Sequence, residues 1–261
     1  AFKAAVDGKQ VAVLVPTTIL ALQHYRSFTE RLRNFPVRVE YLNRTKSAKE
    51  VGQIREDLAA GKIDILIGTQ MVTKGHDFPN VTLMGILLAD LSLYSSDFRA
   101  QERTFQLLTQ AAGRAGRGDK PGDVVIQTYD PSHYSVQMAV KHDYDGFYEQ
   151  EIMYRELMDY PPVSNLMAVK VSSKYERNAN DAAAWLLDFI KRQLEKDTDN
   201  IPENLPRIIG PTRASVYKLN DIFSVLLYFK HKQYTVLTQI KDILEKYIRE
   251  HEQDFRMVSV Q

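Results

Sequence analysis

The sequence predicts an α/β protein: a parallel sheet flanked by helices over residues 1–130, then an α+β domain of four strands and two helices over 163–261. Three observations carry this reading. Residues 9–130 alternate short apolar runs with stretches of helical periodicity, the pattern of βαβ units with right-handed crossovers. The runs Val11–Val15 and Ile63–Ile67 are continuously apolar, as strands buried on both faces are. From Leu166 onward the order becomes strand, helix, two strands joined by a tight turn, helix, strand.

Each element has a local cause. Val11–Val15 is closed by Pro16, and Thr17 or Thr18 caps the next helix, whose Leu20, Tyr25, Phe28 and Leu32 share a face. Val37–Leu42 is the second strand; Ser47 caps a helix to about Ala60, Gly61 ends it, and Ile63–Ile67 is the third strand. Val81–Leu88, a helix over Arg99–Ala112 and a strand over Asp123–Thr128 complete the sheet. Residues 131–162 read as a helical linker, and Tyr160-Pro-Pro162 marks a boundary because proline pushes the preceding residue to extended backbone. Beyond it lie a strand over Leu166–Ser172 and a helix over Asn180–Glu195 with Trp185, Leu186, Phe189, Ile190 and Leu194 as its apolar stripe. Strands over Ala214–Lys218 and Phe223–Phe229 flank the turn Leu219-Asn-Asp-Ile222, and a helix over Thr235–Glu250 and a strand over Arg256–Val260 follow. That βαββαβ order is the ferredoxin-like split βαβ sandwich.

Composition narrows the chemistry. The 261 residues contain no cysteine, which excludes disulfides and thiolate metal sites. The formal net charge is +1, so any nucleic-acid contact must come from local patches. No apolar run reaches the roughly 18 residues that a membrane span requires, and a soluble, cytoplasmic protein without membrane contact is expected. The six histidines show no metal-ligand spacing.

Two segments carry functional chemistry. Gln110-Ala-Ala-Gly-Arg-Ala-Gly-Arg117 places Arg114 and Arg117 about one helical turn apart beside two glycines. Glycine permits close backbone approach, and arginine offers a permanent, bidentate cation for phosphate. This suits an arginine finger; a glycine-rich helix end with solvated arginines is the bland alternative. Some forty residues upstream stands Gly68-Thr-Gln-Met-Val-Thr-Lys-Gly-His-Asp-Phe78.

Together these segments resemble motifs V and VI of superfamily-two nucleic-acid helicases. With Asp97-Phe-Arg-Ala-Gln-Glu-Arg103 and Tyr160-Pro-Pro162, they make residues from about Gly68 to Gln261 similar to the carboxyl part of the primosomal replication-restart helicases, the PriA family. Val11-Ala-Val-Leu-Val-Pro-Thr-Thr-Ile-Leu-Ala-Leu-Gln-His24 and Phe35-Pro-Val-Arg-Val-Glu40 instead resemble the first motor lobe of the transcription-repair coupling factors, the Mfd family, at motif Ia. The chain thus reads as a chimera with its seam near residues 63–69, engineered or recombinational.

The resemblance implies a RecA-like motor lobe with half of a nucleotide site: Arg117 as finger, Arg114 as its partner, with Gly75, Asp77 and Gln110. It implies ATP and magnesium as the parent family's cofactors, in DNA replication and DNA repair, with ATP-driven 3′-to-5′ unwinding as the hydrolase activity. No Gly-x-x-x-x-Gly-Lys-Ser/Thr and no Asp-Glu-x-His occurs, so nothing cradles the β- and γ-phosphates or seats the metal, and the chain alone is expected to be inactive. For DNA, Thr69 and Lys74 follow the motif V strand, and Thr17, Thr18 and Gln23 match motif Ia. Thr17 and Thr18 serve helix capping equally well. In the last domain Lys230 and Lys232, with Arg213, Lys218, His231, Tyr217 and Tyr228, interleave cations and aromatics, suited to forked or single-stranded DNA or to a solvated sheet edge. Three functions stay open: part of a DNA helicase, a non-enzymatic module binding DNA, a primosome component or single-strand-binding protein, and an inactive join. A domain-swapped homodimer is the alternative assembly.

Overall fold

The computed structural model describes residues 1–69, 80–113, 121–196 and 205–261, with Lys196 described in its backbone alone. It divides into two compact units, Ala1–Glu151 and Ile152–Gln261.

The first unit is built on a parallel sheet of order β2-β3-β1-β4-β5. Its strands are β1 (Gln10–Leu14), β2 (Val39–Leu42), β3 (Ile65–Gly68), β4 (Val81–Ile86) and β5 (Asp123–Ile126). Alternation along β1 explains its burial on both faces. Val11, Val13 and Val15 meet Ile65 and Ile67 on the side of α1 (Phe2–Val6) and α2 (Thr18–Leu32). Ala12 and Leu14 meet Leu58, Leu66, Met84 and Leu108 on the side of α3 (Ala48–Ala59) and α4 (Ala100–Ala112). Local signals set the helix starts: the Thr17 hydroxyl accepts from the Leu20 amide, and Ser47 with Glu50 forms a reciprocal capping box. The buried Gln10 amide donates to the carbonyls of Leu58 (2.7 Å) and Ile63 (2.8 Å), fastening the end of α3 to the start of β3.

The strand expected at the seam, β3, is interior and pairs with β1 and β2. The earlier and later parts of the lobe meet where β1 pairs with β4. The expected linker 131–162 is different: α5 (Tyr134–Lys141) and the first half of α6 (Tyr144–Met158) pack on the lobe, where Val136, Ala139 and Phe147 join its core. Phe147 stacks on Phe105 at 4.2 Å. The apolar side chains of these two helices need a partner surface, and the sheet's flank supplies it.

The second unit is an antiparallel sheet of order β7-β8-β6-β9, the split βαβ arrangement. The strands are β6 (Asn165–Ser173), β7 (Arg207–Leu219), β8 (Ile222–His231) and β9 (Ser259–Val260). Helices α7 (Glu176–Lys196) and α8 (Tyr234–Glu250), with the short α9 (Glu252–Phe255), cover one face through Ala182, Leu186, Ile190, Leu237, Ile240 and Leu244. Trp185 departs from the expected stripe: it is 46% exposed at the rim, edge-on to Phe255, because small Ala179, Ala182 and Ala183 make the close helix–sheet contact. Asn220 and Asp221 take φ of 49° and 60°, the left-handed pair that a two-residue hairpin turn requires. Gly210, at φ 116°, sits where a Cβ would lie 2.6 Å from the Leu226 carbonyl oxygen, so side-chain-free backbone permits the bulge in β7.

Candidate nucleotide and nucleic-acid interface

Register places Leu42, Gly68, Leu14, Ile86 and Ile126, the last residues of five adjacent strands, in one row. The loops beyond that row form the carboxyl edge of the sheet, where open α/β sheets bind ligands. The structure brings Thr17, Thr18 and Thr69 to this edge, after β1 and β3, and the Val15 amide donates to the Gly68 carbonyl at 2.9 Å between them. Thr17 is exposed and caps α2; Thr18 and Thr69 are half-buried; Gln23 is exposed in the second turn of α2. Lys74, Gly75, Asp77, Arg114 and Arg117 lie outside the described residues.

The bracketing residues are informative. Segment 70–79 leads into β4 and segment 114–120 into β5, and these strands pair with Leu83 opposite Asp123. The described residues just after both segments therefore stand side by side at the amino edge of the sheet. Gln110 is exposed in the last turn of α4, which ends at Gly113.

One contact class was missed in the sequence reading. The loop Asn43–Ser47 exits β2 at the same carboxyl edge and exposes Arg44 and Thr45. Its shape is fixed from inside: buried Asn43 accepts from the Thr45 amide (3.0 Å) and hydroxyl (2.7 Å), and Lys46 pairs with Glu40 (3.3 Å) while lying over the Tyr41 ring. The Asn-x-Thr turn signal marked this loop; its place beside β3 is tertiary information.

The carboxyl domain corrects the expected cation set. Lys230 is 4% exposed, donates to the Met158 carbonyl oxygen at 2.7 Å and lies 3.4 Å from the centre of the Tyr160 ring. Burial, and then Arg207, push its ammonium pKa down against the opposing pull of Asp159. Its ammonium is engaged by the protein itself rather than offered to solvent. The preceding residue on β8, Phe229, joins the helix-covered core, so Lys230 falls on the opposite sheet face, where it meets Met158 and Tyr160. Arg213 stacks on Tyr217 and approaches Glu176, Lys218 pairs with Asp221 at 2.9 Å, and the His231 ring is buried. Lys232 is exposed. Among the described residues no cluster of histidine or acidic side chains suits a metal ion, and no helix is long and apolar enough to cross a membrane. Burial pushes the His133 pKa down against the opposing pull of Asp130, Glu151 and Asp90, and its Nδ1 accepts from the Ser135 amide at the start of α5.

Residues 3–119 match the family described as the helicase conserved C-terminal domain. The matched residues lie within the first unit. That match extends across residues 63–69. The chain is 46% identical to the replication restart protein PriA of Bacillus subtilis over 201 residues, covering 77% of this chain and 24% of that protein. It is 38% identical to the PriA of Chlamydia pneumoniae over 213 residues, or 78% of this chain and 27% of that one. The chain thus spans about a quarter of the length of these relatives. Among solved structures, the C-terminal domain of the DEAD-box protein Dbp5 is 19% identical with a TM-score of 0.39, covering 57% of this chain and 82% of that one.

Proposed function

We propose that this chain is the second motor lobe and carboxyl domain of a replication-restart DNA helicase, supplying half of an ATP site and part of a DNA track. The similarity to PriA over about three-quarters of the chain, on a lobe whose motif strand β3 is seated in the sheet, carries this reading. Arg114 and Arg117, with Gly75, Asp77 and Gln110, would neutralise charge on the γ-phosphate of ATP held with magnesium by a lobe absent from this chain. Thr69, Lys74, Thr17, Thr18 and Gln23, joined by Arg44 and Thr45, would hold the DNA backbone without reading sequence. Within the second unit exposed Lys232 would meet forked or single-stranded DNA; primosome proteins are the protein partners in this reading. A coupling-factor origin for residues 1–67 stays a proposal that rests on the resemblance of Val11–His24 and Phe35–Glu40 alone. Without a phosphate loop or metal-binding acidic motif, the chain alone hydrolyses no ATP.

Two measurements test this. Phosphate release with and without DNA should equal the buffer blank; DNA-stimulated release from helicase-free material would overturn the half-site reading. Titration of a forked oligonucleotide should give an affinity that falls steeply with salt, as displaced counterions require. Salt-independent binding, or none at low salt, would move the chain to protein docking.

A further inference from the structure

Among the described residues of the first unit the three most exposed large apolar side chains are Tyr129, Tyr94 and Ile19, at 79%, 72% and 70%. All three stand on one edge. Ile19 follows β1, Tyr94 ends the 3-10 turn Leu91–Tyr94 after β4, and Tyr129 follows β5. These strands are adjacent and their last residues Leu14, Ile86 and Ile126 are in register, so the segments that carry the three residues leave the sheet at the same carboxyl edge as Thr17, Thr18 and Thr69. Exposing apolar side-chain surface to water is unfavourable, and two phenol rings and an isoleucine beyond one sheet edge call for an occupant.

The two tyrosine loops are fastened together. Asp90, 1% exposed, immediately precedes the 3-10 turn, and its Oδ2 accepts from the amides of Tyr129 (2.7 Å) and Asp130 (3.3 Å). The Ala89 amide donates to the Gln127 carbonyl at 2.9 Å. Buried polar anchoring beneath exposed rings is how a fixed platform is built, since little ordering remains for the moment of binding.

We propose that Tyr94 and Tyr129 form a base-stacking platform for single-stranded DNA, continuous with the backbone contacts at the ends of β1, β3 and β2. This rests on the DNA-track reading above. From β1 to β5 is two strand spacings, about 10 Å, within the reach of one or two nucleotides. The local charges assign bases rather than phosphates to this end. Asp130, whose carboxyl is held low by the Ser132 hydroxyl, and Asp97, whose charge Arg103 meets at 2.7 Å, offer phosphate no net attraction. Arg44 and the threonines at the other end do. Stacking on phenol rings is sequence-tolerant because every base has a π-face.

The test titrates the full chain with a short single-stranded oligodeoxynucleotide and with an abasic strand of equal length, over a salt series. Wild type should bind the normal strand more tightly than the abasic strand with equal salt slopes. Y94A/Y129A should bind the normal strand roughly tenfold or more weakly, with its salt slope unchanged, and the abasic strand as wild type does. Y94F/Y129F should restore the affinity, because the ring rather than the hydroxyl stacks. Equal wild-type affinity for both strands, or full affinity in Y94A/Y129A, overturns the proposal and assigns the rings to a protein partner. If wild type shows no salt-dependent binding at all, the DNA-track reading fails as well.

Discussion

Lys230→Ala is expected to destabilise the carboxyl unit by about 2 kcal/mol while leaving the DNA affinity of the folded chain unchanged. The ammonium donates to the Met158 carbonyl oxygen at 2.7 Å, and a hydrogen bond with a charged partner contributes about 1.5–3 kcal/mol. The Tyr160 ring, 3.4 Å away, adds about 0.5–2 kcal/mol. Against these stands the cost of keeping an ammonium at 4% exposure, several kcal/mol, which the variant relieves while orphaning the carbonyl and emptying the space of the aliphatic stem. The chain has a single tryptophan, Trp185, on α7 of this unit, so its fluorescence in urea reports the transition. With a slope of about 1.5 kcal/mol/M, the midpoint should fall by about 1 M or somewhat more. An unchanged midpoint together with weaker DNA binding and a flatter salt slope would refute the reasoning and return Lys230 to the phosphate-binding set.

Ser47→Ala removes the cap and half of the capping box of α3 and should cost about 1 kcal/mol, read by circular dichroism in urea. Asp57→Asn tests the clasp made chiefly by the Arg38 guanidinium (2.8 Å), then by Gln53 and Lys62, which holds the Asp57 carboxyl below its ordinary value. Because the folded value is depressed, the stabilisation should be complete above the ordinary carboxylate range and lost as pH falls through the folded value; wild-type and variant midpoints should converge only in acid. Asn220→Val forces a β-branched residue to φ 49° and should lower the stability of the carboxyl unit by about 1–2 kcal/mol in the same fluorescence assay.

The sequence by itself determined what short-range chemistry decides. The continuous apolar runs became strands buried on both faces, Thr17 and Ser47 became caps, and Leu219-Asn-Asp-Ile222 became the hairpin turn. Each depends on residues within a few positions of one another. The parallel pairing of the first sheet and the split βαβ arrangement of the second followed too, because crossover handedness and hairpin geometry leave few alternatives. Tertiary structure alone decided the fate of residues whose neighbours are distant in sequence. A lysine between Phe229 and His231 reads as an exposed cation until Met158–Tyr160, some 70 residues earlier, closes over it. Val136, Ala139 and Phe147 read as a linker until the flank of the sheet takes them in. Trp185 reads as core until the neighbouring alanines take the close contact. The convergence of Thr17, Arg44, Thr69, Tyr94 and Tyr129 on one edge is likewise invisible in the linear chain: it depends on five strand ends aligned in register, and register is a property of the sheet rather than of any one segment.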